Sequence, residues 1–226
     1  LGFCAPPKTT FLTQSHSMSA DASQVTVGLD IGYDAVRVVA LETGSGTPRL
    51  VRIGERPYPR AYGPESLLDQ RSEIAAAVKA VLSDGCDPSW PIVIGLRNRL
   101  ATVMVPEVDL SMAPAETREW LLWEAEQFTD DAISNYIVDV GWTGNVTETA
   151  REAVVAAARQ DVIGHMESIA SEAAVEPKSM TVATVALLNA FKATRTLTEW
   201  ESAAIAHFEP GAVDILFMHN EGVNLT

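Results

Sequence analysis

The sequence predicts an α/β fold with three parts: a mixed sheet first, a small inserted strand-helix-strand-strand unit next, and a strand pair last. Three observations predict it. Short β-branched runs separated by turn residues fill the first hundred positions, with one amphipathic helix among them. The block from about Arg99 to about Ala158 then changes character to strand, helix, strand, strand. An Ala- and Leu-rich helical segment follows, and after it two apolar runs meet at Pro210-Gly211.

Each element has its own warrant. Val25–Asp30 (VTVGLD) is short, apolar and β-branched, as a buried strand requires. Ile31-Gly32-Tyr33-Asp34 is turn chemistry, and Ala35–Leu41 (AVRVVAL) reads as the second strand. Gly44-Ser45-Gly46 turns the chain into a third strand, Arg49–Ile53, and the Pro-rich stretch Pro57–Pro64 is a loop. Over Ser72–Leu82, Ile74, Val78, Val81 and Leu82 form one apolar stripe of a helix. Pro91 precedes a further buried strand, Ile92–Leu96. In the middle block Ala101–Val108 reads as a strand. Pro114–Phe128 reads as a helix with Trp120, Leu121, Glu124, Ala125 and Phe128 along one face. Tyr136–Trp142 and Glu152–Ala158 read as strands, Gln160–Ala173 as a helix, Met180–Phe191 as another, and Ala203–Phe208 with Val213–Met218 as a hairpin.

The expected organisation is a disordered tail over 1–22, a first lobe over 23–98, and the insert with its connecting helix over 99–174. The chain then returns to the first lobe over 175–198 and begins a second lobe over 199–226. Leu1 opens the chain, Met18 stands directly before the first strand, and the last residues follow closely on a strand. The expectation is therefore a fragment, with extra residues before Met18 and the C-terminal part of the fold missing.

Composition narrows the function. With 30 Asp and Glu against 16 Lys and Arg, the net charge is −14, which repels nucleic-acid phosphates and anionic lipid heads. Cys4 and Cys86 are too few for a disulfide framework or a zinc cluster, and a reducing cytoplasm fits them. No run of about 18 apolar residues is present to span a bilayer. Leu1–Ser17 has no apolar stretch of the kind a secretory signal carries. His16, His165, His207 and His219 show no metal-ligand spacing. The acidic run Glu116, Glu119, Glu124, Glu126, Asp130 and Asp131 reads as a solvated face.

The strongest local signal is GLDIGYDAVR, Gly28–Arg37. An Asp that ends a strand before a Gly-containing hairpin is one way to hold a metal-bound phosphate. The carboxylate of Asp30 would reach Mg²⁺ or its waters, and the backbone N–H groups of the turn would face phosphate oxygens. The same letters also make an ordinary β-hairpin.

The order of motifs along Val25–Met218 resembles the type IV pilus assembly protein PilM family, relatives of the cell-division protein FtsA in the actin-like ATPase (ribonuclease H-like) superfamily. The D-I-G hairpin is followed by Val93-Ile94-Gly95-Leu96, then by Trp123-Glu124-Ala125-Glu126-Gln127-Phe128 on the insert's helix. Asn135-Tyr136-Ile137-Val138-Asp139, Val154–Ala158, Ala174-Val175-Glu176-Pro177 and Ala186-Leu187 to Ala190 resemble the later family motifs. The resemblance implies an actin-like lobe with an inserted subdomain and binding of ATP with Mg²⁺. It assigns nucleotide contacts to Asp30, Gly32, Tyr33, Asp34 and Arg37, and to Glu209, Gly211 and Ala212 of a second phosphate loop, with Asp30 also the metal ligand. No catalytic residue is assigned.

Departures from the family pattern weigh against hydrolysis. Tyr33 stands where a small residue is usual, Arg37 where Lys is common, and Glu209-Pro210-Gly211-Ala212 where relatives have a D-x-G-A-like loop. The function implied is a cytoplasmic scaffold at the pilus inner-membrane platform, binding the N-terminal tail of a PilN-like membrane protein. The alternatives are an active ATPase or small-molecule kinase of the superfamily, or the cytoplasmic domain of a GspL-like type II secretion protein.

Overall fold

The computed structural model describes residues 24–44, 47–63, 66–194, 201–209, 212–219 and 222–225. The expected tail over 1–22 lies outside them.

β1 (Gln24–Ile31), β2 (Ala35–Thr43) and β3 (Arg49–Pro57) form an antiparallel meander. α1 (Arg71–Ser83) then carries the chain to β4 (Ile92–Leu96), which lies parallel to β1. The four strands expected of one mixed sheet are in one sheet, of order β3-β2-β1-β4-β9, where β9 is Pro177–Val182. Alternation decides which face is buried. Val27, Leu29 and Ile31 of β1 and Val36, Val38 and Ala40 of β2 point the same way, into a core shared with Ile74, Val78 and Val81 of α1. β3 is an edge strand, and Arg49, Arg52 and Arg56 charge it, a common protection against edge-to-edge pairing.

Between β4 and β9 the chain builds a second sheet from β5 (Ala101–Met104), β6 (Glu107–Asp109), β7 (Tyr136–Val146) and β8 (Ala150–Arg159). The single strand expected over Ala101–Val108 is two, because Pro106 interrupts the ladder between them; its carbonyl still accepts from Ala153 N–H at 2.9 Å. β8 is the centre, paired antiparallel with β5 and β6 on one side and with β7 on the other. A register shift interrupts the β7 ladder between Trp142 and Val146, where Gly144 takes φ +91°.

α2 (Pro114–Glu126) and α3 (Gln160–Glu172) cover the two faces of β8. Thr117, Leu121 and Ala125 are the buried residues of α2. Phe128, expected on that face, follows the end of the helix and is 60% exposed. α3 packs Ile163, Met166 and Ile169 into the same core as the first sheet, so the connecting helix of the insert belongs to the first lobe's interior.

The helix expected over Met180–Phe191 is corrected: Met180-Thr181-Val182 end β9, parallel to β4, and α4 begins at Ala183 and runs to Thr194. β10 (Ser202–Glu209) and β11 (Ala212–His219) form the expected hairpin, and β12 (Gly222–Leu225), not foreseen, adds a third strand. Leu216 and Met218 pack this sheet on Leu188 of α4. No helix among the described residues is long and apolar enough to cross a membrane.

Candidate functional site

The turn between β1 and β2 lies where the ends of three strands meet. β1 pairs Asp30 with Arg37 of β2 on one side and with Gly95 of β4 on the other. Gly32 N–H closes the turn on Ala35 C=O at 2.9 Å. Because β4 is parallel to β1, the residue leaving β4, Arg97, emerges beside Asp30.

Arg97 is 5% exposed. Its Nη2 stands 3.0 Å from Oδ2 and 2.9 Å from Oδ1 of Asp30, and its Nε donates to the Ile31 carbonyl at 3.2 Å. The guanidinium lies 5.8 Å from the ring centroid of Tyr33, within cation–π range, and Tyr33 is buried. Arg37 makes a fork to Asp34, Nη1 to Oδ1 at 3.1 Å and Nη2 to Oδ2 at 2.8 Å, and also meets Glu55 at 2.8 Å. It stands 3.9 Å from Asp30 Oδ2. The hydrogen bond from Arg37 holds the Asp34 carboxyl below its usual range, and the same bond raises Arg37.

The loop after β3 closes over this turn. Tyr58 N–H donates to Asp34 C=O at 2.9 Å and Tyr62 N–H to Tyr33 C=O at 2.7 Å, bringing the two rings to 4.9 Å. Burial pushes both phenols up, Tyr62 to about 12.

Asp30, Gly32, Tyr33, Asp34 and Arg37 are thus together, as the motif implies. Glu209 and Ala212 face each other at the end of the β10–β11 ladder, on a different sheet, and Gly211 lies outside the described residues. Sequence reading missed Arg97, Tyr58 and Tyr62. The available signal for Arg97 was a charged residue directly after the buried run Ile92–Leu96, a strand of the kind that lies beside the first in a parallel sheet.

A divalent ion on Asp30 needs an oxygen approachable to about 2.1 Å in a field that favours positive charge. Both Asp30 oxygens already meet a guanidinium nitrogen, and a second guanidinium stands close by. The backbone side of the turn is filled as well. A Cβ on Gly32 would come within 2.6 Å of Arg97 Nη2, 2.8 Å of Ala35 O and 3.0 Å of Arg37 Nη1. Glycine is required here because the Ala35 carbonyl, a backbone atom, cannot give way to a Cβ, and the two arginine side chains crowd the same space. These residues do not fit Mg²⁺ at Asp30. Among the described residues no group of three or more His, Cys, Asp or Glu side chains is placed to hold a metal.

No protein-family model matches the chain, and no curated protein matches its sequence significantly. Solved structures do match. The PilM–PilN type IV pilus biogenesis complex superposes with a TM-score of 0.74 at 21% identity, over 88% of this chain. This chain spans 60% of the length of that one. Two weaker likenesses have TM-scores of 0.49 and 0.47: the cytoplasmic domain of EpsL, an inner-membrane component of the Vibrio cholerae type II secretion system, and a Bacteroides thetaiotaomicron protein with an actin-like ATPase fold. The expected fold class is the one found: an actin-like α/β lobe carrying an inserted α+β sheet.

Proposed function

We propose that this chain is an adaptor of the type IV pilus inner-membrane platform, which holds the short N-terminal cytoplasmic tail of a PilN-like membrane protein. The observation that carries the reading is the likeness of nearly all of the described chain to the PilM–PilN complex.

A local feature supports it. Among the described residues β5 pairs in a ladder only with β8, at the edge of the inserted sheet, the kind of position at which an extended peptide adds a strand. All six residues of Ala101–Pro106 are half-buried. Ala101, Val103 and Val105 lean on the first core and Met104 on the insert's core. Beside the strand is a cavity of about 180 Å³ lined by Asn98, Ala101, Val103, Thr184, Asp214 and Leu216. Elements of the first lobe, the insert and the last sheet therefore converge on β5, where an extended apolar peptide would touch all three. In this reading the protein is cytoplasmic and reaches the membrane only through its partner. ATP, if held, is held without a metal at Asp30, so a scaffold suits this chain better than an ATPase or a kinase.

Fluorescence anisotropy with the labelled N-terminal peptide of the organism's PilN-like protein tests the proposal. Saturable binding is expected, weakened at least about tenfold by Val103→Asp, which places a charge on the apolar strand. Absence of saturation at high micromolar peptide, with the protein folded by circular dichroism, would sink it.

A further inference from the structure

A guanidinium buried at the end of a strand is costly unless its N–H groups find acceptors. Arg97 donates to the Asp30 carboxylate and to the Ile31 carbonyl, and the Tyr33 ring lies within cation–π range. We propose that Arg97 is a resident cation, standing at Asp30 in the place of a divalent metal and holding the turn shut without one. The assignment is independent of the peptide-binding reading above.

Charge supports it. Three carboxylates, Asp30, Asp34 and Glu55, converge on two guanidiniums, Arg37 and Arg97. The group carries a net charge of −1, and a divalent ion would invert its sign. Without Arg97 the same carboxylates would face Arg37 alone at a net charge of −2, an arrangement that calls for a cation. Space supports it too, because the guanidiniums fill the room beside Gly32 that the turn would otherwise offer to a ligand. Tyr33, which departs from the small residue expected there, becomes the wall that covers the resident cation.

The test uses the full chain, with Mn²⁺ read by electron paramagnetic resonance and Mg²⁺ read by thermal melting. Wild-type protein should bind no Mn²⁺ that Asp30→Asn removes, and its Tm should not respond to Mg²⁺. Arg97→Met, which keeps the length and deletes the charge, should lower Tm by roughly 6–12 °C in chelator. It should also gain a Mn²⁺ site and recover part of its Tm in Mg²⁺. Adding Asp30→Asn should abolish both gains. Arg97→Lys, which keeps the cation, should gain no metal site, and it carries the comparison if Arg97→Met does not fold. Mn²⁺ binding to wild type that Asp30→Asn abolishes would overturn the assignment, as would an Arg97→Met protein of unchanged stability with no metal response.

Discussion

The five-stranded sheet and the inserted sheet both close on β8, yet they are packed differently. On one face of β8, Val154, Ala156 and Ala158 join a core built from β1, β2, β4, β9, α1 and α3. On the other face, among the described residues, Ala153 and Val155 share a cluster with Val108, Leu121 and Ala125 as its only other fully buried members. α2, which covers that second face, leaves Trp123 56% exposed. A run of small residues, Ala156-Ala157-Ala158, lets backbones approach closely but gives little apolar area of its own. The difference teaches that the insert is held in place chiefly through its inner face. It is a second sheet without a second large core.

The largest expected effect comes from emptying the shared core. Met166 of α3 is fully buried, and Met166→Ala should cost about 2–5 kcal/mol of global stability by urea unfolding. Leu121→Ala, on the thin side, should fall at the low end of that range, about 2 kcal/mol, because fewer neighbours lose contacts. Amide exchange separates the two. The first variant should accelerate exchange throughout, and the second chiefly in α2, β6 and β7. Equal losses with the same exchange pattern would break the comparison and show one undivided core.

Legibility in the sequence followed the range of the interaction. Strands β1, β2, β3 and β4 and helices α1 and α3 were readable because local period and punctuation agree with the fold. The β9–α4 junction was not. Met180-Thr181-Val182 runs into Ala183-Thr184-Val185 with no Gly or Pro between them, and a strand buried on both faces shows no alternation to set it apart from a buried helix. The break at Pro106 was visible as a residue lacking an N–H, but whether it ends a strand or bends it depends on the partner β8. At the site the same division holds. Asp30, Gly32, Asp34 and Arg37 lie within one hairpin and show as a motif. Arg97 pairs with Asp30 from 67 positions away, so only the parallel pairing of β1 with β4 brings the two together.

A smaller effect sharpens the comparison from the end of α3. Ala174 takes φ +60°, and the chain closes there with Val175 N–H on Ala170 C=O at 2.8 Å and Ala174 N–H on Ser171 C=O at 3.0 Å. This is a helix ending that favours glycine, since a Cβ is strained at that φ. Ala174→Gly should therefore stabilise by about 0.5–1 kcal/mol, the relief of strain exceeding the added chain entropy. Because α3 belongs to the shared core, the gain should appear in the global transition. A gain confined to the exchange of the inserted sheet would assign α3 to the wrong side.

The smallest expected effect concerns acid. Asp34 titrates below its usual range because Arg37 bonds its ionised form. A carboxyl depressed in the folded state adds stability above its unfolded value, about 3.9, and loses it as pH falls through the folded value. In the insert, Asp109 and Asp131 are depressed too, chiefly by backbone N–H groups of Ser111 and Ala132. Acid should therefore loosen both sheets, through an ion pair in the first and through turn bonds in the second. Asp34→Asn removes the first contribution alone. At neutral pH the variant should be less stable by under about 1 kcal/mol, since the pair is partly exposed and screened. The gap from wild type should close below about pH 4 in a series of thermal melts, while both proteins keep the acid loss that belongs to the insert. A gap that persists undiminished in acid would mean that Asp34 acts through the shape of the turn, where its carbonyl accepts from Tyr58, and not through its charge.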